Sequence, residues 1–169
     1  MTEQEAMEIW MKMTTPGAEH KLLAGHVGKW NAKVKTWMAP GAPANESTGT
    51  ATITMLLDGR IKHEDFHTDM GGMSFDGFGM IGFDNFTRKF WMTWADNMST
   101  ALLFCEGTLS ADGKELTFTG KINKAVQNMR DVPMKCTYKF LSDHHHVFES
   151  WEHSGTQQEF QTLEIHYTR

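Results

Sequence analysis

At 169 residues, 40% hydrophobic and 22% charged, the chain has a globular balance and can bury a core without a disulfide or metal staple. No run approaches the roughly 18 apolar residues of a membrane-spanning helix, so no membrane partner is expected. A net charge of −5, with no Lys/Arg cluster longer than Arg88-Lys89, leaves no electrostatic footprint for nucleic acid.

The acidic start Met1-Thr2-Glu3-Gln4-Glu5-Ala6 has no basic segment followed by an apolar stretch, so no secretory signal is visible and a cytoplasmic location is expected. Thr2-x-x-Glu5 is a capping-box pattern, and Met7, Trp10 and Met11 follow at i, i+3, i+4 spacing. A short amphipathic helix is predicted there, ended by Pro16-Gly17. A second helical turn is predicted over Ala18 to Ala24, with Leu22 and Leu23 inward, before Gly25 and Gly28 break it.

From Lys29 the character changes to short β-branched and aromatic segments separated by turn residues, the pattern of an all-β barrel or sandwich. Ten strands are predicted, near 29–39, 47–57, 60–70, 74–83, 88–96, 99–107, 115–121, 134–141, 144–152 and 159–168. Asp58-Gly59, Gly71-Gly72, Asp84-Asn85, Asp112-Gly113, Ser142-Asp143 and Ser154-Gly155 supply tight turns, so successive hairpins are expected. Ile122 to Pro133 reads as a longer, mobile flap, and Pro40-Gly41-Ala42-Pro43 as a second loop. With no repeat or linker composition, the expected organisation is a single domain, helical over 1–27 and barrel over 28–169.

Cys105 and Cys136 have no Cys-x-x-Cys spacing and fall two strands apart in such a meander. That is about 9–10 Å, beyond disulfide reach. Thirteen methionines scatter along the chain and read as core filling or a pliable pocket wall rather than a soft-metal array.

Gly28-Lys29-Trp30, following a helical turn and beginning the first strand, resembles the Gly-x-Trp entry of lipocalins and related calycins. A longer set resembles the bacterial domain of unknown function 1579 family over about Pro16 to Arg169. It comprises Glu19-His20-Lys21-Leu22-Leu23, Glu46-Ser47-Thr48-Gly49-Thr50-Ala51, Gly77-Phe78-Gly79, Gly82-Phe83-Asp84-Asn85, Trp94-Ala95-Asp96-Asn97-Met98-Ser99-Thr100, Glu106-Gly107-Thr108 and Glu164-Ile165-His166-Tyr167-Thr168-Arg169. The resemblance implies the barrel and no established activity. The chain carries more histidine than that pattern, notably His63, His67 and His144 to His146.

The fold class is therefore mainly β: one antiparallel meander β-barrel of about ten strands, calycin-like, entered by one or two short helices. Alternate residues of a barrel strand face the interior, so carboxylates sharing parity with aromatics are the informative ones. These are Glu64 with Phe66; Asp96 with Phe90, Met92 and Trp94; Glu106 with Leu102 and Phe104; Glu149 with Val147 and Trp151; and Glu164 with Phe160 and His166. Arg60, Lys62, His146, His166 and Arg169 are basic partners for such buried acids. The alternative for each carboxylate is an outward, solubilising position. Trp30, Phe66, Phe78, Phe90, Trp91, Trp94, Phe104 and Trp151 either line a pocket or fill the core. The candidate ligand-binding set is Glu64, Phe66, Trp94, Asp96, Phe104, Glu106, Glu149, Trp151 and Arg169.

His63, Asp65, His67 and Asp69 share one strand face, but His63 and His67 stand about 13 Å apart, too far for one zinc ion, so a charged outer face is expected. His144 to His146 follow a turn and read mostly as a solvated hairpin end, with His146 able to turn inward. Heme through His166 is disfavoured by its polar same-face neighbours Thr162, Glu164 and Thr168. No Gly-x-Ser-x-Gly elbow is present, Cys105 lacks an activating histidine, and no helix follows the Gly-rich turns to make a phosphate loop. No cofactor or metal is expected. The leading functional expectation is a barrel enclosing a small apolar or amphipathic molecule. An acid/base enzyme drawing two interior carboxylates from Glu64, Glu106 and Glu149 is the second. The third is an assembly protein with a filled barrel and a homodimer contact through Trp10 and Met11.

Overall fold

The computed structural model describes all of Met1–Arg169. Helix α1 (Glu3–Thr14) opens with the expected capping box: Glu5 N donates to Thr2 Oγ1 at 3.2 Å, and Thr2 N donates to the Glu5 carboxylate at 2.6 Å. It buries no residue, and Met7, Trp10 and Met11 are exposed. Side chains of the barrel hold its C-terminal end, Arg60 donating to Thr14 O and Asn85 to Met13 O and Thr15 O. Helix α2 (Ala18–Ala24) instead turns His20 and Leu23 inward and plugs one end of the barrel. Leu23 packs in one cluster with Ile81, Phe83, Phe90, Leu116, Phe118 and Tyr138. Neither helix is long and apolar enough to cross a membrane.

Ten strands follow: β1 (Gly28–Thr36), β2 (Asn45–Leu56), β3 (Ile61–Asp69), β4 (Ser74–Asp84), β5 (Lys89–Asp96), β6 (Leu103–Leu109), β7 (Glu115–Lys124), β8 (Met129–Ser142), β9 (His145–Glu152) and β10 (Phe160–Thr168). Each pairs antiparallel with its neighbour in sequence, and β1 pairs with β10, so the meander closes without an edge. Period-two alternation is clear where one face is buried: Trp30, Ala32 and Val34 point in, Lys29, Asn31 and Lys33 out.

The expected flap is a hairpin. β7 and β8 run on to Lys124 and from Met129, pairing Ile122 with Val132 and Lys124 with Met129 around a turn of residues 125–128. Most of this extension is exposed, so it lacks the apolar alternation by which a strand is recognised; backbone pairing holds it.

Gly28 has φ of 140°, a backbone only glycine adopts freely, and a Cβ there would stand 3.0 Å from Arg169 Nη1. Trp30 Nε1 donates to His26 O at 2.9 Å, and the Arg169 guanidinium lies 4.3 Å over the Trp30 ring. Arg169 also donates to Val27 O at 2.7 Å and Asp143 O at 2.9 Å. The entry tripeptide and the terminal arginine thus form one seal at the α2 end. Both cysteines are unpaired and buried, and burial pushes the thiols up to about 11 for Cys105 and about 12 for Cys136, so neither is a thiolate at neutral pH.

Candidate functional site: a pocket with a polar floor

A cavity of about 300 Å³ occupies the barrel half away from α2. Its wall is mostly apolar, with Val34, Phe66, Phe75, Ile81, Trp94 and Leu163 among the lining side chains, and it reaches Met70 and Leu103 at the far rim. The space exists because β4 places two glycines on its inner face, Gly79 opposite Trp94 and Gly77 opposite Asp96 in the neighbouring strand. A Cβ at Gly77 would meet Trp94 Cζ2 at 2.4 Å, and one at Gly79 would meet Trp94 Cε3 at 2.9 Å. The indole therefore lies down on bare backbone, where it stacks on Phe75 with an interplanar angle of 12°. Its Nε1 donates to Asp96 Oδ2 at 2.9 Å, which fixes the ring. Gly79→Val should force Trp94 out of this position, costing roughly 1–3 kcal/mol of stability. A shifted tryptophan emission maximum together with a lower denaturation midpoint is the expected readout; an unchanged spectrum would contradict this packing.

The floor, toward α2, is a buried cluster of Lys62, Glu64, Tyr138 and Tyr167. Lys62 and Glu64 are 4% and 3% exposed. Lys62 Nζ stands 3.4 Å from Glu64 Oε2 and 4.5 Å over the centre of the Tyr138 ring. Tyr167 OH donates to Glu64 Oε1 at 2.8 Å and Tyr138 OH to Oε2 at 3.3 Å. These are the chain's only two tyrosines, and both spend their hydroxyl on one carboxylate. Burial, then the Glu64 charge, raises both phenols well above their ordinary value, so they stay protonated donors. Burial lowers the Lys62 pKa, with the Glu64 charge opposing that shift.

Beneath the floor, His146 is fully buried, stacked on Tyr167 at 4.4 Å and edge-on to Trp30 at 4.4 Å. Neither of its ring nitrogens has a hydrogen-bond partner. Burial, with the Lys62 charge second, lowers His146 to about 2; the same two causes lower His26, 5.3 Å away, to about 4. Both rings are neutral at physiological pH.

Of the residues singled out from sequence, Glu64, Phe66, Trp94 and Asp96 line the cavity. Phe104, Glu106, Glu149, Trp151 and Arg169 do not. On β6 the inward residues are Leu103, Cys105 and Gly107; Phe104 is 55% exposed, and Glu106 pairs with Lys89 on the outside at 3.2 Å. On β9 the inward residues are His146, Phe148 and Ser150. Glu149 therefore faces out to Lys139, Thr137 and Gln161, and Trp151 lies under Lys135. Glu164 and His166 are also outside, where His166 meets His145 at 3.0 Å and Glu164 at 3.3 Å, so His166 offers no interior ligand for heme. His63 and His67 pair with Asp65 and Asp76 on the outer face, and no group of three or more His, Cys, Asp or Glu is placed to hold a metal ion. Phe78 and Trp91 face outward too, Trp91 lying over Gly82.

The profile described as "Protein of unknown function (DUF1579)" matches residues 15–169. The chain belongs to the DUF1579 family. A comparison with curated proteins gives no match. Among solved structures, one titled as a redesigned beta barrel aligns with this DUF1579 chain at 10% identity and a TM-score of 0.45. The alignment covers 88% of this chain and 94% of that one. Strand parity does not point to Tyr138 and Tyr167 as the partners of Glu64. Their scarcity beside 11 phenylalanines was the available signal, since a buried tyrosine needs a partner for its hydroxyl.

Proposed function

We propose that this barrel binds a small, mainly apolar molecule and orients its polar end at the Lys62–Glu64 floor. The observation that carries this is the roughly 300 Å³ apolar cavity closed below by a buried, hydrogen-bonded ion pair. At the ~30 Å³ a water claims in the liquid, the space suits on the order of ten non-hydrogen atoms. The floor is neutral overall: one ammonium, one carboxylate, two phenols and two uncharged histidines. A hydroxyl or carbonyl group therefore suits it better than a carboxylate, which would face Glu64 in a low dielectric. Lys62 has N–H groups to donate, and the tyrosine oxygens have lone pairs to accept.

Acid/base catalysis by paired interior carboxylates has less support, because Glu106 and Glu149 face outward and leave Glu64 alone at the floor. A filled assembly barrel does not match the open space. In the binding reading the barrel is calycin-like and cytoplasmic, with two buried thiols suited to a reducing compartment. A homodimer contact through α1 is supported by the exposure of Met7, Trp10 and Met11, and sedimentation at rising concentration would register it.

Titrating the protein with para-isopropylbenzyl alcohol should quench tryptophan emission saturably, with Trp94→Phe removing most of the signal. Ser150→Phe, which fills the cavity from β9, should weaken binding by about tenfold or more, a loss of some 1.4 kcal/mol. Absence of any saturable response in the unaltered protein would defeat the proposal.

A further inference from the structure

We propose that Lys62 is an imine-forming residue, condensing through Nζ with a small aryl or alkyl aldehyde seated in the cavity. This rests on the binding reading above and names a ligand class for it. Three features of the floor support the chemistry. Lys62 borders the cavity and is 4% exposed, so its amine meets the apolar pocket instead of bulk solvent. Glu64 Oε2, at 3.4 Å, is placed to move a proton on and off that nitrogen. Tyr138 and Tyr167 hold the carboxylate from both oxygens, so it is oriented before any ligand arrives. Burial adds to this by lowering the Lys62 pKa, which increases the fraction of free amine.

The step balances without a further reactant. Glu64 accepts one proton from the Lys62 ammonium, and the freed lone pair attacks the aldehyde carbon, forming the C–N bond as the carbonyl π pair moves to oxygen. A second nitrogen proton passes to that oxygen, giving the carbinolamine. The C–O bond then breaks as Glu64 returns its proton, water leaves, and a protonated imine remains beside the Glu64 carboxylate. Apolar walls limit the water available to reverse the reaction. The iminium keeps the same charge opposite the same carboxylate, so the ion pair of the empty floor carries over to the adduct.

Full-length protein mixed with para-isopropylbenzaldehyde and sodium cyanoborohydride at neutral pH, followed by peptide mapping, tests this. One reduced adduct on Lys62 is expected, forming about tenfold or more faster than on exposed lysines such as Lys33, because the cavity holds the aldehyde beside Nζ and Glu64 Oε2. Lys62→Arg, which keeps a cation opposite Glu64 but cannot form the imine, should lose the fast adduct, as should Lys62→Met. If either variant fails to fold, mapping of the unaltered protein still decides. The matching alcohol separates the two claims. Saturable quenching by alcohol and aldehyde with no preference for Lys62 would overturn the imine and keep the pocket. No quenching by either would overturn the pocket itself.

Discussion

Glu64→Leu should destabilise the barrel by about 3–5 kcal/mol, the cost of leaving a buried cation without its counter-charge. Lys62 would lose the carboxylate 3.4 Å from its ammonium, and Tyr138 and Tyr167 would lose the acceptor of both hydroxyls. Lys62→Met combined with Glu64→Leu should recover much of that loss, because removing both charges also removes their desolvation cost. The two tyrosine hydroxyls would still lack a partner, so recovery is incomplete. Urea unfolding of the four proteins in the cycle measures the coupling. A Glu64→Leu variant as stable as the parent would mean that the floor is not the dry ion pair described here.

Acidification should weaken the fold well before carboxylates titrate. His26 and His146 are held neutral, at about 4 and about 2, whereas an unfolded chain protonates them near 6.5. Below that value the unfolded state binds protons that the folded state refuses, so stability falls as pH drops from 6.5 and is full above it. At about 1.4 kcal/mol per pH unit, each ring withdraws on the order of 3 kcal/mol by pH 4. The charged groups facing the pair, Lys62 and Arg169, act in the same direction on both rings. His145, on the same strand, adds to the shift of His146. Exposed Asp76, Asp84, Asp112 and Glu159 have lowered values held mainly by local hydrogen bonds and titrate only at lower pH. His146→Leu should flatten a large part of the slope between pH 6.5 and 4 in denaturant midpoints, the remainder belonging to His26 and to His20, which burial also lowers. An equal slope in the variant would remove His146 from the acid response.

Much of the architecture was legible in the residues. The capping box Thr2-x-x-Glu5 and the glycine-containing turns act locally and appear where their own chemistry demands; Gly28-Lys29-Trp30 begins β1 as its pattern indicates, although its seal is completed by Arg169. The cavity was half legible: Glu64 shares a face with Phe66 on β3 and Asp96 with Trp94 on β5, and in both strands that face is the inner one. β6 and β9 misled for a specific reason. Beside Leu103 and Phe148, their inner faces carry Cys105, Gly107, His146 and Ser150, small or polar where Phe118, Tyr167 and the cavity take the space. Their outer faces carry Phe104, Val147 and Trp151, so apolar parity pointed the wrong way round.

Sequence alone determined that this chain makes short helices followed by about ten meandering strands, because helix caps, turns and period-two alternation are properties of neighbouring residues. Only the tertiary structure decided that Lys62, Glu64, Tyr138 and Tyr167, drawn from β3, β8 and β10, meet beneath an apolar cavity. Barrel closure of β1 onto β10 sets which strand faces which across the interior, and no local pattern encodes a contact spanning 103 residues.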